Sequence, residues 1–480
     1  MTTPSNSVRA YAAIAVSVAS IALLQNLVIP VIPLIESDLG VGADAASWTM
    51  TAWLIAAAVA TPLLGRVGDL RGRRATMLAV LGVVMAGNLV AALAPDLGVL
   101  ILGRVLQGAG GAAFPLAFAL LREVMPPARL TGAIGSVSAL VGIGGAAGSV
   151  LAGPLSAAIG WRGLFEVALS VTAVGALLTI AWIPRSSLRA PGRLNVLSAA
   201  LLSGWLVALL LPLASGARWG WASPVTIGMF AAAAVLLAAW VVTELRSAVP
   251  LVDIRMLAHR SIWPVNAAGL LIGVAVFGFW GYLPLFLEVP ADTGWALGLT
   301  AQTAGLVLVP LLAGMSLAGF ATGAISRLMS LRTQLMLGSA VIGAAVLAAV
   351  LFHSAVWQLA VAGGFFGLGV GASYAAMASI IVESVPARSV GVATGVNANL
   401  RSIGSAIGSA LMTAIVFGSL DAQSRPFERG YDVAWITIAV LALVAAAVVA
   451  AVPAVRRAPS EAADPVETAA DEEPVLADAA

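Results

Sequence analysis

The sequence predicts an all-α integral membrane protein: two six-helix bundles with two further transmembrane helices inserted between them, fourteen spans in all. Three observations carry the prediction. The 480 residues are 61% apolar and only 10% charged, with a mean hydropathy of +1.03, far from the composition of a soluble domain. Apolar windows of about 20 residues, the length that crosses ~30 Å of hydrocarbon, recur along the whole chain. The arginines alternate with those windows in a pattern that fits one topology.

In chain order the windows fall near 10–34, 47–66, 75–94, 98–121, 131–158, 162–183, 195–213, 222–243, 262–288, 299–324, 333–352, 356–382, 389–417 and 432–453. Every basic residue is an arginine, 24 in all. With the N-terminus inside, eighteen lie in cytoplasmic segments, four in outer ones (Arg162, Arg218, Arg425, Arg429) and two within spans (Arg104, Arg401). That is the positive-inside bias. One span more or fewer would reverse every later loop and abolish it. Both termini are therefore expected in the cytoplasm. The first window is too long for a signal-peptide core and reads as an uncleaved span.

A pI near 9.5 reflects this topology and does not point to nucleic acid as a partner. The chain has no cysteine, so disulfide and thiolate chemistry are excluded. Residues 458–480 hold seven acids and three prolines and read as a disordered acidic tail.

A repeat divides the rest. Pro127-Ala128-Arg129 with Gly132 recurs as Pro386-Ala387-Arg388 with Gly391, Gly108 and Gly110 as Gly367 and Gly369, and Gly145 as Gly404, at offsets of 258 or 259. Residues 1–190 (spans 1–6) and 262–457 (spans 9–14) are thus expected to be similar six-helix bundles. Residues 191–261 hold the inserted spans 7 and 8 with a cytoplasmic linker. Parallel halves of this kind place a ligand path at their interface near the bilayer midplane.

The densest charge is Gly65-Arg66-Val67-Gly68-Asp69-Leu70-Arg71-Gly72-Arg73-Arg74, between windows 2 and 3, with room only for a tight turn. Its glycines allow sharp turning and close helix approach. The pattern G-x3-D-x2-G-R-R resembles the loop between the second and third spans of the major facilitator superfamily. The repeat carries it in decayed form: Gly65, Asp69 and Arg74 map to Gly323, Arg327 and Arg332, without the acid. The resemblance covers nearly the whole chain and implies a major facilitator fold of the fourteen-span drug–proton antiporter type. In that family the turn locks the helices of one half together at the inner face in the outward-open state, a role the resemblance assigns to Gly65, Asp69, Arg73 and Arg74.

Other stretches are candidates for the path of substrate and protons. In span 4, Arg104-Val105-Leu106-Gln107-Gly108 is similar to the superfamily's R-x-x-Q-G phrase. An arginine inside a span is costly, so Arg104 is expected to face a water-filled cavity or an acid, or else to bind helix carbonyls. At 100° per residue Arg104, Gln107, Gly111, Phe114 and Phe118 share a face. In span 5, Gly144, Gly148, Gly153 and Pro154 resemble the antiporter phrase G-P-x-x-G-G, with Ser149 in place of its proline and Ala152 in place of its first paired glycine; helix packing alone also explains small residues here. Span 1 reads Leu24-Gln25-Asn26-Leu27 where many fourteen-span relatives have L-D-x-T, so the usual acid is missing. Gln25 and Asn26 remain able to hydrogen-bond a ligand or a neighbouring helix. Glu166 is the acid deepest in an apolar run and is either a proton carrier or half of a surface pair with Arg162. Span 9 aligns Asn266, Gly273, Phe277, Trp280 and Pro284 on one face, an aromatic pocket wall or a packing stripe. Arg401 follows Asn397 and Asn399 in span 13 and needs a partner that the sequence does not name.

His259 and His353 have no metal-ligand spacing around them, no Walker loop occurs, and no nucleophile–base pair suggests an enzyme; no cofactor is expected. The reading is a monomeric secondary transporter of the bacterial cytoplasmic membrane that exports hydrophobic or amphipathic compounds, drugs and antibiotics among them, against protons. Transport of a specific metabolite or lipid is the alternative, as is a membrane sensor or scaffold that no longer transports.

Overall fold

A computed structural model describes residues 4–185, 190, 192–418, 420, 421, 423 and 425–451. The expected acidic tail lies outside these residues. Among them, thirteen helices are long and apolar enough to cross a membrane. They are span 1 (Asn6–Leu39), span 2 (Ala43–Arg71), span 3 (Arg73–Ala92), span 4 (Leu97–Val124), spans 5 and 6 within Pro127–Trp182, and spans 7 (Val196–Trp219) and 8 (Pro224–Arg246). Spans 9 (Trp263–Glu288), 10 (Ala301–Ile325), 11 (Leu331–Leu351), 12 (Val356–Ser384) and 14 (Glu428–Ala450) complete that set. Span 13 is the helix Val390–Val416, ~40 Å long at 1.5 Å per residue. It is less apolar because Asn397, Asn399, Arg401, Ser402, Ser405 and Ser409 interrupt it.

Local chemistry explains the boundaries. Spans 5 and 6 form one helical run whose break is Gly160, at φ 71° and ψ 168°. The charged stretch is less of a loop than the sequence suggests. Span 2 runs helically to Arg71 and span 3 starts at Arg73, so Gly72 alone makes the turn at φ 108°. A left-handed φ at that one position favours glycine.

Arg66, Arg71, Arg73, Arg74, Arg122, Arg129 and Arg388 gather at one end of the molecule, the arginine-rich face. The halves repeat each other down to side-chain caps. Arg74 donates to the carbonyl of Ile180 (2.8 Å) at the end of span 6. Its counterpart Arg332 donates to Val449 (2.9 Å) and Ala450 (2.6 Å) at the end of span 14. A cation at a helix C-terminus satisfies orphan carbonyls and the helix dipole together.

Spans 7 and 8 form a hairpin turned at Gly220. Its Trp205, Leu206 and Trp240 share an apolar cluster with Ala58 of span 2 and Val392, Ile403 and Ala406 of span 13. The inserted pair thus covers the outside of the seam where those two spans meet. Glu244, buried at the base of the hairpin, accepts from the Ser198 hydroxyl and from the Leu251 amide (2.9 Å). It thereby holds the following segment, Leu251 and Val252, in the same cluster.

Candidate functional site

Two seams join the bundles, span 2 against span 13 and span 5 against span 10, and glycine makes both possible. A Cβ on Gly65 would stand 2.6 Å from the Gly391 carbonyl oxygen, and one on Gly323 would stand 2.5 Å from the Gly132 Cα. Gly135 meets Gly319, and Gly142 meets Ser316 and Leu312. Farther from the arginine-rich face the contact ends: Gly153 in span 5 and Gly305 in span 10 meet nothing within 4 Å. The contacts between the bundles thus lie toward the arginine-rich end.

At that end the charged turn does more than hold its own bundle. Asp69 is buried, and its carboxylate accepts from Arg73 Nη2 at 3.2 Å within its own half. It also accepts from the backbone N–H of Gly391 (3.3 Å) and of Val392 (3.0 Å) in the other half. These are free amides of the first turn of span 13, so an anion from one bundle caps the helix N-terminus of the other. Arg73 is equally buried. It donates to Glu123 (2.7 Å), to the Ala119 carbonyl (3.0 Å) and, across the seam, to the Ala387 carbonyl. Arg122 crosses as well, to the carbonyls of Val382 and Val385 (2.6 Å), and Thr131 reaches Glu383 at 3.1 Å. Arg74 donates to the Thr179 and Ile180 carbonyls of its own half. At the second seam the counterpart of Asp69 is the exposed Arg327, so the two seams are alike in packing and unlike in charge. Glu123 and Arg122 escaped the sequence reading, although their place at the inner end of span 4 was a signal.

The path candidates separate into two groups. Arg104 does not open onto a cavity and meets no acid here; the carbonyl alternative is the one observed. It is fully buried, donating from Nε to the Thr49 carbonyl (3.0 Å) and from Nη1 to Gln107 (2.6 Å), with Met50 Sδ at 3.7 Å and the Trp53 ring 5.7 Å away. Gln107 passes the chain on to Asn88 at 2.9 Å. Between Gln107 and Phe114 the helix tightens into a 3-10 turn, Gly108–Ala112. At ~120° per residue against 100°, five such residues rotate the next stretch of helix by about 100°. Phe114 is half-buried and lies 6.4 Å from the Phe118 ring.

The pair expected between Arg162 and Glu166 is not formed. Arg162 binds Asp38 of span 1 at 2.5 Å and the Ala94 carbonyl at 2.9 Å, while Trp161 donates to the same Asp38 at 3.0 Å. Glu166 is exposed. In span 5, Gly144 and Gly148 do pack, their Cβ positions 2.4 and 2.7 Å from the side chains of Ala22 and Asn26. Gly153 and Pro154 lie beyond the contact and are exposed, so they are not part of it. Asn26 is buried, donating to the Ala22 carbonyl at 2.9 Å, and serves the packing of span 1 on span 5. Gln25 keeps part of its surface exposed.

Span 9 likewise divides. Phe277 is exposed, and Gly273 lies against the Arg401 carbonyl. Trp280 reaches across to Gly145 of the other half, 3.7 Å from its Cβ position. The partners that the sequence left unnamed for Arg401 are Asn397, at 2.7 Å, and the ring of Tyr374, 4.6 Å from Cζ.

Two bundles of membrane-length helices joined at one end by a buried ionic cap define the fold of a membrane transporter. The chain belongs to the Major Facilitator Superfamily, whose family model matches residues 14–296 and 265–477. It is 28% identical over 422 residues to the tetracenomycin C resistance and export protein of Streptomyces glaucescens, covering 84% of this chain and 75% of that one. It is 28% identical over 408 residues to multidrug resistance protein Stp of Mycobacterium tuberculosis (84% and 74% covered) and 27% identical over 409 to the probable actinorhodin transporter of Streptomyces coelicolor (82% and 69%). Among solved structures, the human organic anion transporter MFSD10 superposes with a TM-score of 0.67 at 15% identity, covering 93% of this chain and all of that one. The proton:xylose symporter XylE does so with 0.67 at 12% identity, covering 94% and 97%.

Proposed function

We propose that this transporter exports small hydrophobic or amphipathic compounds, antibiotics among them, from a bacterial cell by alternating access, with protons as the coupling ion. The relatives named for antibiotic and multidrug export support the cargo class. In this reading the protein is a monomer in the cytoplasmic membrane, with both termini and the arginine-rich face in the cytoplasm. Residues 1–190 and 262–457 are the rocking halves, and residues 191–261 form the inserted hairpin that rides on their seam. Gly65, Asp69 and Arg73 form the releasable lock, while Arg74 ties span 3 to span 6. The path runs between the bundles past Gln25, Phe114, Trp280 and Arg401, and the buried Arg104–Gln107 chain and Asn26 hold its walls. Glu166 and Phe277, exposed in this state, join the path only if rocking carries them to it.

The observation that carries the reading is the cap that Asp69 places on span 13 of the opposite half. A carboxylate held by backbone amides can leave one partner and keep the other, Arg73, which is what a lock that opens every cycle requires. Accumulation of a panel of antibiotics and dyes in a pump-deficient bacterium, with and without an uncoupler, tests it. Lower accumulation that the uncoupler reverses is expected. Accumulation equal to that of cells without the protein, for every compound, would refute the export reading.

A further inference from the structure

Arg401 lies about 17 Å along a ~40 Å helix, close to the middle of span 13. Its stem runs over Gly269, where a Cβ would stand 3.5 Å from Arg401 Cγ and 3.0 Å from Asn397 Nδ2. The guanidinium donates from Nη1 to Asn397 Oδ1 at 2.7 Å. Asn397 Nδ2 in turn donates to Asn266 Oδ1 at 3.1 Å, which turns the Asn397 oxygen toward the arginine. Tyr374 supplies its ring face. Each of these partners is neutral.

Among the described residues no carboxylate pairs with Arg401. The acids of the membrane-spanning helices lie elsewhere: Asp69, Glu123, Glu244 and Glu383 toward the arginine-rich end, Glu166 exposed on span 6, and Glu36, Asp38, Asp44, Glu288, Glu428 and Asp432 toward the opposite end. A guanidinium has five N–H donors in a planar fork, and neutral partners leave its charge uncompensated. Arg104 is sealed, but Arg401 keeps part of its surface exposed although spans 9, 12 and 13 surround it. Span 12, which supplies Tyr374, also packs on span 5 of the other bundle, so Arg401 is held by a helix of the interface between the halves. A charge held in the apolar layer is costly, and a transported anion would offset that cost through charge-assisted, bidentate hydrogen bonds.

We propose that Arg401 anchors an amphipathic anion, a carboxylate or phenolate borne on an aromatic body, with Asn397 and Tyr374 aiming the guanidinium and Trp280 flanking the body. The inference rests on the export reading above and narrows its cargo.

Fluorescein, an anion, and rhodamine 123, a cation, share a xanthene ring system and differ in charge. Their efflux is measured from pump-deficient bacteria making the full chain. The wild type is expected to export fluorescein faster than rhodamine 123, and Arg401→Gln to lower the ratio of the two rates at least tenfold. Arg401→Lys should recover part of that ratio. Equal losses for both dyes in both variants, matched by a lower melting temperature of the purified proteins, would make Arg401 a helix staple and overturn the proposal. Export of rhodamine 123 alone by the wild type would overturn the anion assignment and leave export standing. Export of neither dye, with the protein confirmed in the membrane, counts against both.

Discussion

The carboxylate of Asp69 accepts the backbone N–H of Val392 at 3.0 Å across 323 positions of sequence. It joins the second span of one bundle to the first turn of the thirteenth span in the other. Asp69→Asn keeps the side chain's shape, replaces the anion with a neutral amide and weakens both the amide bonds and the Arg73 pair. Charge-assisted bonds of this kind contribute about 1.5–3 kcal/mol each. Export is therefore expected to fall at least tenfold, while yield and membrane insertion stay near wild type, as read by efflux rate and by quantitative blotting of the membrane fraction.

Gly65 and Gly153 make opposite predictions for the same substitution. A methyl group on Gly65 would meet the Gly391 oxygen at 2.6 Å, backbone against backbone, whereas one on Gly153 would meet nothing. Gly65→Ala should keep the arginine-rich end from closing and abolish most export. Gly153→Ala should leave the efflux rate within about twofold of wild type, since surface changes away from contacts cost little.

Arg104 is a stability determinant. Arg104→Gln removes the donors to the Thr49 carbonyl and to Gln107 Oε1, and an acceptor left unmet in a dry interior costs about 1–3 kcal/mol. The melting temperature of the purified protein should fall by several degrees. Arg104→Lys should lie between, because one ammonium cannot reproduce the fork that meets Thr49, Gln107 and Met50 together.

His353 gives the second bundle a pH dependence at the end away from the arginine-rich face. Burial lowers the imidazole pKa, but its 2.8 Å bond to Glu428 and contacts with the Ala349 and Val350 carbonyls outweigh this and raise it above the usual 6.5. A raised histidine pKa stabilises the fold fully below the unfolded value, and the effect is lost as pH rises through the folded one. Glu428 is 39% exposed, so the pair contributes under ~1 kcal/mol. The melting temperature of wild type should exceed that of His353→Gln at about pH 6 and match it by about pH 9.

The features legible in the sequence are those where the physics acts on composition. Charge between apolar runs marked the turn at 65–74, and the apolar windows and the arginine bias together supported fourteen spans, span 13 among them. The partners of Asp69 were invisible because Gly391 and Val392 bind it through backbone amides, which no side chain announces. Helical spacing offers Glu166 as one possible partner of Arg162, but Asp38, distant in sequence, is the one that binds it. Arg104 is held by a carbonyl, an amide and a thioether, none with a sequence signature. The 3-10 turn at Gly108–Ala112, ahead of Phe114, is a departure from the ideal helix that periodicity alone does not announce.

Because the chain has no native cysteine, spin labels can be placed at will. The most direct test uses electron–electron distance measurements between labels at Arg71→Cys and Arg388→Cys on the arginine-rich face, and between Ser37→Cys and Asp292→Cys on the other, all four positions being exposed. If Asp69 locks the two bundles, Asp69→Asn will lengthen the first distance distribution and shorten the second. Distributions unchanged by the substitution would contradict the account.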